Sequence, residues 1–313
     1  MNHIGTAAGY DVIGELRASQ TRLDALLEHL GYRRVGGGPW THPGGRTAVF
    51  VGGVVGAGGR RGSCAAMVQA MVDAGSALMV LGPHELEVVL DAARRPRTRE
   101  LALVGIATGS GGEASVDADD ALVAWLRTVP IWLDLPGLRV VHACWSEFDI
   151  AELRAGLDGN CLADDEALQA CATPGSALHA AIRTVVHGPD VVLPPHLDIR
   201  DTQGRAVRRA RYRWWVDGPI TLRHRALLPA GSTAGPGPRA AELDDTPIVE
   251  AMPVWFADES PVIVGQSGFP GSPPLRTPRL LSLDHTSEHP RQTTAYRWSG
   301  EGSIDPSRLV HLA

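Results

Sequence analysis

The feature that most constrains this chain is a repeated order of apolar runs, glycine-rich loops and helical patterns in its first third. Three apolar runs have the length of buried strands, at residues 10–13, 47–52 and 77–81. Three helical patterns follow them in turn: one that ends at Leu30 with Gly31 as its C-cap, one from Ser63 as N-cap to residue 74, and one over residues 84–93. Strand–loop–helix units in this order predict a largely parallel sheet covered by helices.

The rest of the chain predicts further strands separated by less regular segments. We expect a loop over residues 98–119, a helix over 121–129, two strands around a turn at 135–138, a helical insertion around 150–182, a hairpin over 198–216 and an exposed flexible loop around 231–240. Three more strands are predicted at residues 261–265, 280–283 and 294–298. No internal repeat or linker divides residues 1–313, so we expect a single domain.

Composition argues against several classes of function. All 29 basic residues are arginine and 35 residues are acidic, which gives a net charge of −6. A general nucleic-acid binder carries a basic excess, so nucleic acid is not an expected partner. The cluster RRARYRWW at residues 208–215 could stack on bases, but packing within a strand is the better interpretation. The four cysteines are widely spaced and form no CxxC pair, which favours reduced thiols over a disulfide scaffold or a zinc site. They are Cys64, Cys144, Cys161 and Cys171.

The chain has no sequence feature that points to a membrane. No apolar run is long enough to span a bilayer, and the first residues lack the basic and apolar regions of a signal peptide. We therefore expect a soluble, cytoplasmic protein.

Seven short segments carry a resemblance to a known family. In chain order they are YDVIGELRAS, VFVGGVVGAG, VLGPHE, LRVVHACW, VIVGQS, SLDH and AYRWSGE. The ordered set covers nearly the whole chain and resembles the calcineurin-like metallophosphoesterases, in the bacterial branch related to diadenosine tetraphosphatase and the serine/threonine phosphatases. The resemblance implies an α/β fold, a two-sheet β-sandwich flanked by helices. It also implies two divalent ions that activate a water and clamp a phosphate, held by side chains at strand ends.

The residues that would hold those ions are mostly replaced. The family's motifs are GDxHG, GDxVDRG, GNHE, a later VH and a final GH. By resemblance, the six ligand positions fall on Glu15, Arg17, Gly53, Pro83, His142 and Gln266. Only His142 is kept; Glu15 is a compromise, and the bridging carboxylate is replaced by Gly53. We therefore expect no tight dinuclear centre and no required cofactor, although Glu15 and His142 could hold a single divalent ion weakly.

The remaining polar residues suggest a different kind of site. By resemblance His84 would protonate the leaving group, although a surface or capping histidine is the alternative. His142 would be its catalytic partner, or else a core histidine bonded to the backbone. Arg17 could bind a phosphate or carboxylate directly, or pair with Glu15 or Glu85.

Three further residues could extend such an anion site. Arg60 lies in the glycine-rich loop before a helix N-terminus, where it could join Arg17, although an ordinary solvated loop is the alternative. Gln266 and Asp284 lie at late motif positions near the pocket, and a turn is the alternative for Asp284.

Three functions remain open from the sequence. The chain could be a pseudoenzyme that binds a ligand or a protein partner. It could be a metal-independent catalyst or binder of a phosphorylated, nucleotide-like or other anionic small molecule. It could also be a weak nucleotide or phosphoprotein phosphatase that uses one metal at Glu15, His142 and Gln266. We favour the first two, because Gly53 cannot bridge two metal ions.

Overall fold

A computed structural model describes residues 8–14, 16–56, 62–94, 113–194, 196–228, 232–234, 243, 245–249, 260–265, 275–283 and 292–312. The strands are β1 (Tyr10–Ile13), β2 (Arg33–Arg34), β3 (Trp40–Thr41), β4 (Thr47–Phe50), β5 (Ala77–Met79), β6 (Trp132–Leu135), β7 (Leu138–Val141), β8 (Asp190–Val192), β9 (Ile199–Arg200), β10 (Arg209–Tyr212), β11 (Ala226–Leu227), β12 (Thr233–Ala234), β13 (Val262–Val264), β14 (Leu275–Thr277), β15 (Leu280–Ser282), β16 (Thr293–Trp298) and β17 (Leu309–Leu312). The helices are α1 (Gln20–Leu30), α2 (Ser63–Asp73), α3 (Pro83–Arg94), α4 (Glu113–Leu126), α5 (Glu147–Gly156), α6 (Asp165–Ala172), α7 (Ala177–His187) and α8 (Leu222–Arg225).

Two five-stranded mixed sheets form the centre of the fold. The first has the order β17–β16–β1–β4–β5, in which β1, β4 and β5 are parallel, β16 is antiparallel to β1, and β17 is antiparallel to β16. The second has the order β14–β15–β13–β7–β6, with β7, β13 and β15 parallel and an antiparallel strand at each edge. The parallel arrangement predicted from the first third is confirmed for its three strands, since β1, β4 and β5 are parallel neighbours. The antiparallel neighbours in this sheet, β16 and β17, come from the C-terminal part of the chain.

The two sheets pack face to face and helices cover their outer faces. Side chains alternate between the two faces of a strand. On β4, Ala48 and Phe50 accordingly belong to the apolar core under the helices, whereas Val49 belongs to the core between the sheets, together with Ile263 of β13. The two-sheet α/β sandwich flanked by helices, which the resemblance implied, is confirmed.

The ends of the first two helices follow their local sequence, with one correction. Helix α1 ends at Leu30, and Gly31 adopts the left-handed conformation at φ 94° that suits a glycine C-cap, as predicted. Helix α2 begins at Ser63, but its N-cap is Gly62, which is extended and makes no side-chain cap. Ser63 is already helical, so the prediction that it is the N-cap is wrong by one residue.

Helix α4 corrects the boundary of a predicted loop. The helix begins at Glu113, so residues 113–119 are helical and not part of a loop; residues 98–112 lie outside the described part of the chain. The segment EASVDADD is rich in polar residues, which suggested a loop. Acidic residues near a helix N-terminus are favourable, however, because they complement the helix dipole.

The segments after β7 contain helices and short antiparallel strands. Helices α5, α6 and α7 occupy the region of the predicted insertion. The predicted hairpin over 198–216 is only partly right. Arg200 does pair with Ala206 around a turn in which Asp201 accepts two backbone N–H bonds, but β10 pairs with β8 and β11, not with β9. Within the predicted loop around 231–240, only residues 232–234 are described, and β12 there pairs with β9.

Two further observations bear on the expectations from composition. All four cysteines are free thiols, and Cys64, Cys144 and Cys171 are buried. Among the described residues, no helix has both the length and the apolar character needed to cross a bilayer.

Candidate functional site

Segments from both sheets meet at the C-terminal ends of their parallel strands. The N–H of Ala18, after β1, donates to the carbonyl of Gly53, after β4, at 2.9 Å. His142, which follows β7, bonds to the carbonyl of Val51, and its own carbonyl accepts the N–H of Gly265, after β13, at 2.9 Å. The segments that carried the resemblance are therefore in contact with one another. In α/β folds, ligands bind outside the carboxyl ends of the strands.

Two glycines allow the loops after β4 and β5 to pack backbone against backbone. Gly52 lies at φ 95°, and a Cβ atom there would be 2.6 Å from the Cα of Gly82 and 3.0 Å from Nδ1 of His142. A Cβ atom on Gly82 would be 2.5 Å from Oε2 of Glu85. No side chain fits at either position, so the close approach of the two loops depends on both glycines.

The carboxylate of Glu85 organises the loop that follows β4. Its Oε1 accepts the backbone N–H groups of Val54 and Val55, each at 2.8 Å, and its Oε2 accepts the N–H of Gly53 at 3.2 Å. The side chain is fully buried. Successive backbone N–H groups form a concave anion site, and here a carboxylate of the chain itself fills it. Glu85 is therefore not the partner of Arg17, whereas the other candidate partner, Glu15, lies outside the described residues.

His142 is buried and holds one ring nitrogen against the backbone. Its Nδ1 lies 2.5 Å from the carbonyl oxygen of Val51. A carbonyl can only accept, so Nδ1 carries the proton and Nε2 keeps its lone pair. Burial lowers the pKa of His142 to about 4, and the positive charges of His84 and Arg211 act in the same direction. The ring is therefore neutral at pH 7, and its Nε2 bonds to none of the described residues.

Arg17 and His84 both lie at the surface of this region. Arg17 is exposed, sits at φ 49° and precedes Ala18 at φ 54°, so two successive residues other than glycine adopt the left-handed conformation. Arg17 forms no ion pair with any residue in the described ranges. His84 is the second residue of α3 and is exposed, and its charge lowers the pKa of His142. The two imidazoles are thus within electrostatic reach of each other.

Two residues near His142 were not predicted as part of the site. Arg211 of β10 donates Nη1 to the carbonyl of His187 at 2.5 Å and lies 3.4 Å from Asp190. His187 ends α7, and burial lowers its pKa to about 4. The only sequence signal was the arginine–aromatic cluster at residues 208–215. Residues 209–212 of that cluster form β10, but the closeness of Arg211 to His142 arises from the tertiary fold.

Few side chains that could bind a metal ion come together among the described residues. Among them, no group of three or more His, Cys, Asp or Glu side chains is placed to hold a metal ion. Gly53 and Pro83 offer no side-chain ligand, and the carboxylate of Glu85 is occupied by three N–H groups. Four predicted site residues lie outside the described part of the chain: Glu15, Arg60, Gln266 and Asp284.

Comparisons with known proteins add little to this geometry. Comparison with protein-family profiles finds no match, and comparison with curated proteins finds none either. One similar solved structure is a candidate diadenosine tetraphosphatase, at 14% identity over 99% of this chain and 95% of that one, with a TM-score of 0.43. Another is a cold-active protein-tyrosine phosphatase of a psychrophilic Shewanella, at 18% identity over 55% of this chain and 56% of that one, with a TM-score of 0.32. At these values neither says anything about the chemistry of this chain.

Proposed function

We propose that this chain binds an anionic small molecule of the phosphate-ester class at the C-terminal ends of its strands, without a dinuclear metal centre. The observation that carries the proposal is Arg17. Its guanidinium is exposed and forms no ion pair within the described residues, at a position where the resemblance places a metal ligand. Left-handed residues other than glycine cost roughly 1–3 kcal/mol each and persist where the surrounding structure enforces them, often at ligand sites.

The chemistry of Arg17 suits an anion. A guanidinium is always protonated and presents a planar fork of donors that matches the oxygens of a phosphate or carboxylate. It would supply the positive charge that two metal ions supply in the resembled family. Arg60 would extend this positive region, and Glu15, Gln266 and Asp284 would border it; these four assignments rest on the sequence.

His142 would act on the ligand as an acceptor. With Nδ1–H bonded to Val51, the free Nε2 lone pair can accept a hydrogen bond from a ligand hydroxyl or take up a proton. His84 would be the complementary donor. A neutral, buried imidazole beside an exposed one could serve metal-independent acid–base chemistry, or could only help to bind the ligand. A repurposed enzyme and a pseudoenzyme would both bind the anion, and only the repurposed enzyme would turn it over.

One observation favours a second candidate, a weak phosphoesterase with one metal ion. Metal-binding histidines usually donate their other ring N–H to a carbonyl or carboxylate, which orients the ring. His142 has this arrangement, with Nδ1–H directed at Val51 and Nε2 open. Its further ligands would be Glu15 and Gln266.

Calorimetric titration of the full chain with phenyl phosphate, in EDTA and in Mn²⁺, tests the proposal. We expect binding in EDTA that Arg17→Gln weakens roughly ten-fold or more, since a hydrogen bond to a charged group contributes about 1.5–3 kcal/mol. Arg33→Gln is the matched control, because Arg33 is also exposed but lies on β2. Absence of binding in EDTA, or equal effects of the two variants, would overturn the proposal.

Metal content and turnover of p-nitrophenyl phosphate decide between the candidates. Near-stoichiometric metal, with turnover lost in His142→Ala, would establish the phosphoesterase in place of the metal-independent site. Metal-free turnover that His84→Gln reduces would identify a repurposed catalyst. Binding with no turnover would identify a pseudoenzyme.

A further inference from the structure

A cavity lies along one edge of the sandwich, apart from the candidate site. Strand β5 is the edge of the first sheet and β6 the edge of the second, and the N–H of Leu81 bonds to the carbonyl of Pro130 between them at 2.9 Å. Beside these strands, near the C-terminal ends of α2 and α4, is a cavity of about 670 Å³. Arg17, His84 and His142 do not line it.

The wall of this edge cavity is mostly apolar. Leu78, Met79, Val129 and Leu133 line it together with the indole of Trp125, which is only 7% exposed. The Trp125 N–H makes no hydrogen bond to any described residue. A volume of this size, lined by aliphatic and aromatic side chains with a few polar groups, is typical of sites for small organic molecules.

The charge at the edge cavity is negative and unpaired. Asp73 is the charged side chain among the described residues that line it, and it forms no ion pair with any residue the structure describes. Asp73 is also the last residue of α2, where the helix dipole already places partial negative charge. A carboxylate in this position is destabilised by the helix, and a bound cation would offset that effect.

Backbone acceptors also face this edge. Ser76 accepts the N–H of Ala48, and Val80 donates to the carbonyl of Phe50, so these residues of the β5 segment face β4. Because alternate residues of a strand turn their backbone groups to opposite sides, the carbonyls of Ala77 and Met79 face away from β4. Met79 lines the cavity, and an ammonium group has three donors that could use such a carbonyl.

We propose that the edge cavity binds a small organic cation, with an ammonium head beside Asp73 and an aromatic or aliphatic body against Trp125. The apolar side chains of the wall accommodate the body of such a ligand, and the carboxylate of Asp73 attracts its ammonium head. The site takes the opposite charge to the phosphate-ester site proposed above and does not depend on it.

Three probes of nearly the same shape test the charge preference by calorimetric or NMR titration of the full chain: 2-phenylethylammonium, 2-phenylethanol and 3-phenylpropionate. We expect the ammonium to bind about two- to five-fold more tightly than the alcohol, the range of an exposed ion pair, and the carboxylate to bind least. Asp73→Asn should reduce the affinity for the ammonium probe to that for the alcohol. Asp73→Lys should make the carboxylate probe bind more tightly than the ammonium probe.

Glu28→Gln is the matched control, because it removes one exposed carboxylate on α1 with the same change of net charge. Thermal unfolding checks that each variant is folded. No binding of any probe, equal binding of the three, or an equal effect of Glu28→Gln would each overturn the proposal. Phenyl phosphate binding should be unchanged in Asp73→Asn, so failure here is distinguishable from failure of the proposed function.

Discussion

Replacing Glu85 tests whether one buried carboxylate holds the loop after β4. Glu85→Ala would leave the N–H groups of Gly53, Val54 and Val55 without their acceptor, and all three residues are buried. A buried donor left unsatisfied costs about 1–3 kcal/mol. Because water entering the vacated space would satisfy some of the groups, we expect a loss of roughly 3–6 kcal/mol in the free energy of unfolding.

Glu85→Gln is expected to have a smaller effect than Glu85→Ala, because it keeps the volume of the side chain. The amide oxygen can occupy the position of Oε1 and keep the bonds to Val54 and Val55. The NH₂ group would then face the N–H of Gly53, donor against donor, where Oε2 now accepts. One bond is lost, so we expect a loss of about 1–3 kcal/mol.

The assay is urea unfolding followed by circular dichroism and tryptophan fluorescence. Glu87→Gln is the control, since Glu87 is half-exposed on the same helix and its contacts, with Arg94 and Arg183 at 3.9 Å and with His187 at 3.5 Å, are all long. Such surface pairs contribute about 0–1 kcal/mol. The interpretation is refuted if Glu85→Ala costs less than the control, or if the Ala and Gln variants are equally destabilised.

Two further predictions concern backbone packing and the thiols. Gly52→Ala should destabilise the fold by roughly 2–5 kcal/mol in the same urea assay, from the left-handed conformation and the contact with Gly82 together, whereas Gly75→Ala should lose only about 1–2 kcal/mol. Gly75 is the control because it has φ 71° but no atom within 4 Å of the position that a Cβ atom would take. Equal losses of stability in the two variants would contradict the close approach of Gly52 and Gly82. Burial raises the pKa of Cys64 to about 12 and of Cys171 to about 11, and raises that of Cys144 as well. At pH 8 in the native state, iodoacetamide should therefore modify Cys161 first, as mass mapping would show, and early modification of any buried thiol would contradict this.

The elements that were predicted well are those whose signal is local. Strand β1 matches its apolar run, and α1 ends at the glycine that can adopt the left-handed conformation. Errors arose where local signals compete. The polar start of α4 has the composition of a loop, and Ser63 and Gly62 are both acceptable N-caps, so the boundaries shifted.

The candidate site was predicted only as a set of residues. The sequence indicated that Arg17, His84 and His142 belong to one region, because their segments follow strands in the order of a known family. It offered Glu85 as a partner for Arg17, whereas the structure directs its carboxylate to the backbone of the neighbouring loop. The edge cavity had no sequence signal, because Asp73 and Trp125 lie on two helices, α2 and α4, that are far apart in the sequence.

The sequence by itself determined β1, β4 and α1, the absence of closely spaced cysteine pairs, and the absence of a side-chain metal ligand at Gly53 and Pro83. Only the tertiary structure decided which strands pair with β10, which nitrogen of His142 is free and what Glu85 binds. The physical reason is distance along the chain. Propensity and periodicity act between near neighbours. Glu85 and Val54 are 31 residues apart and His142 and Val51 are 91 apart, so their contacts depend on how the two sheets close against each other.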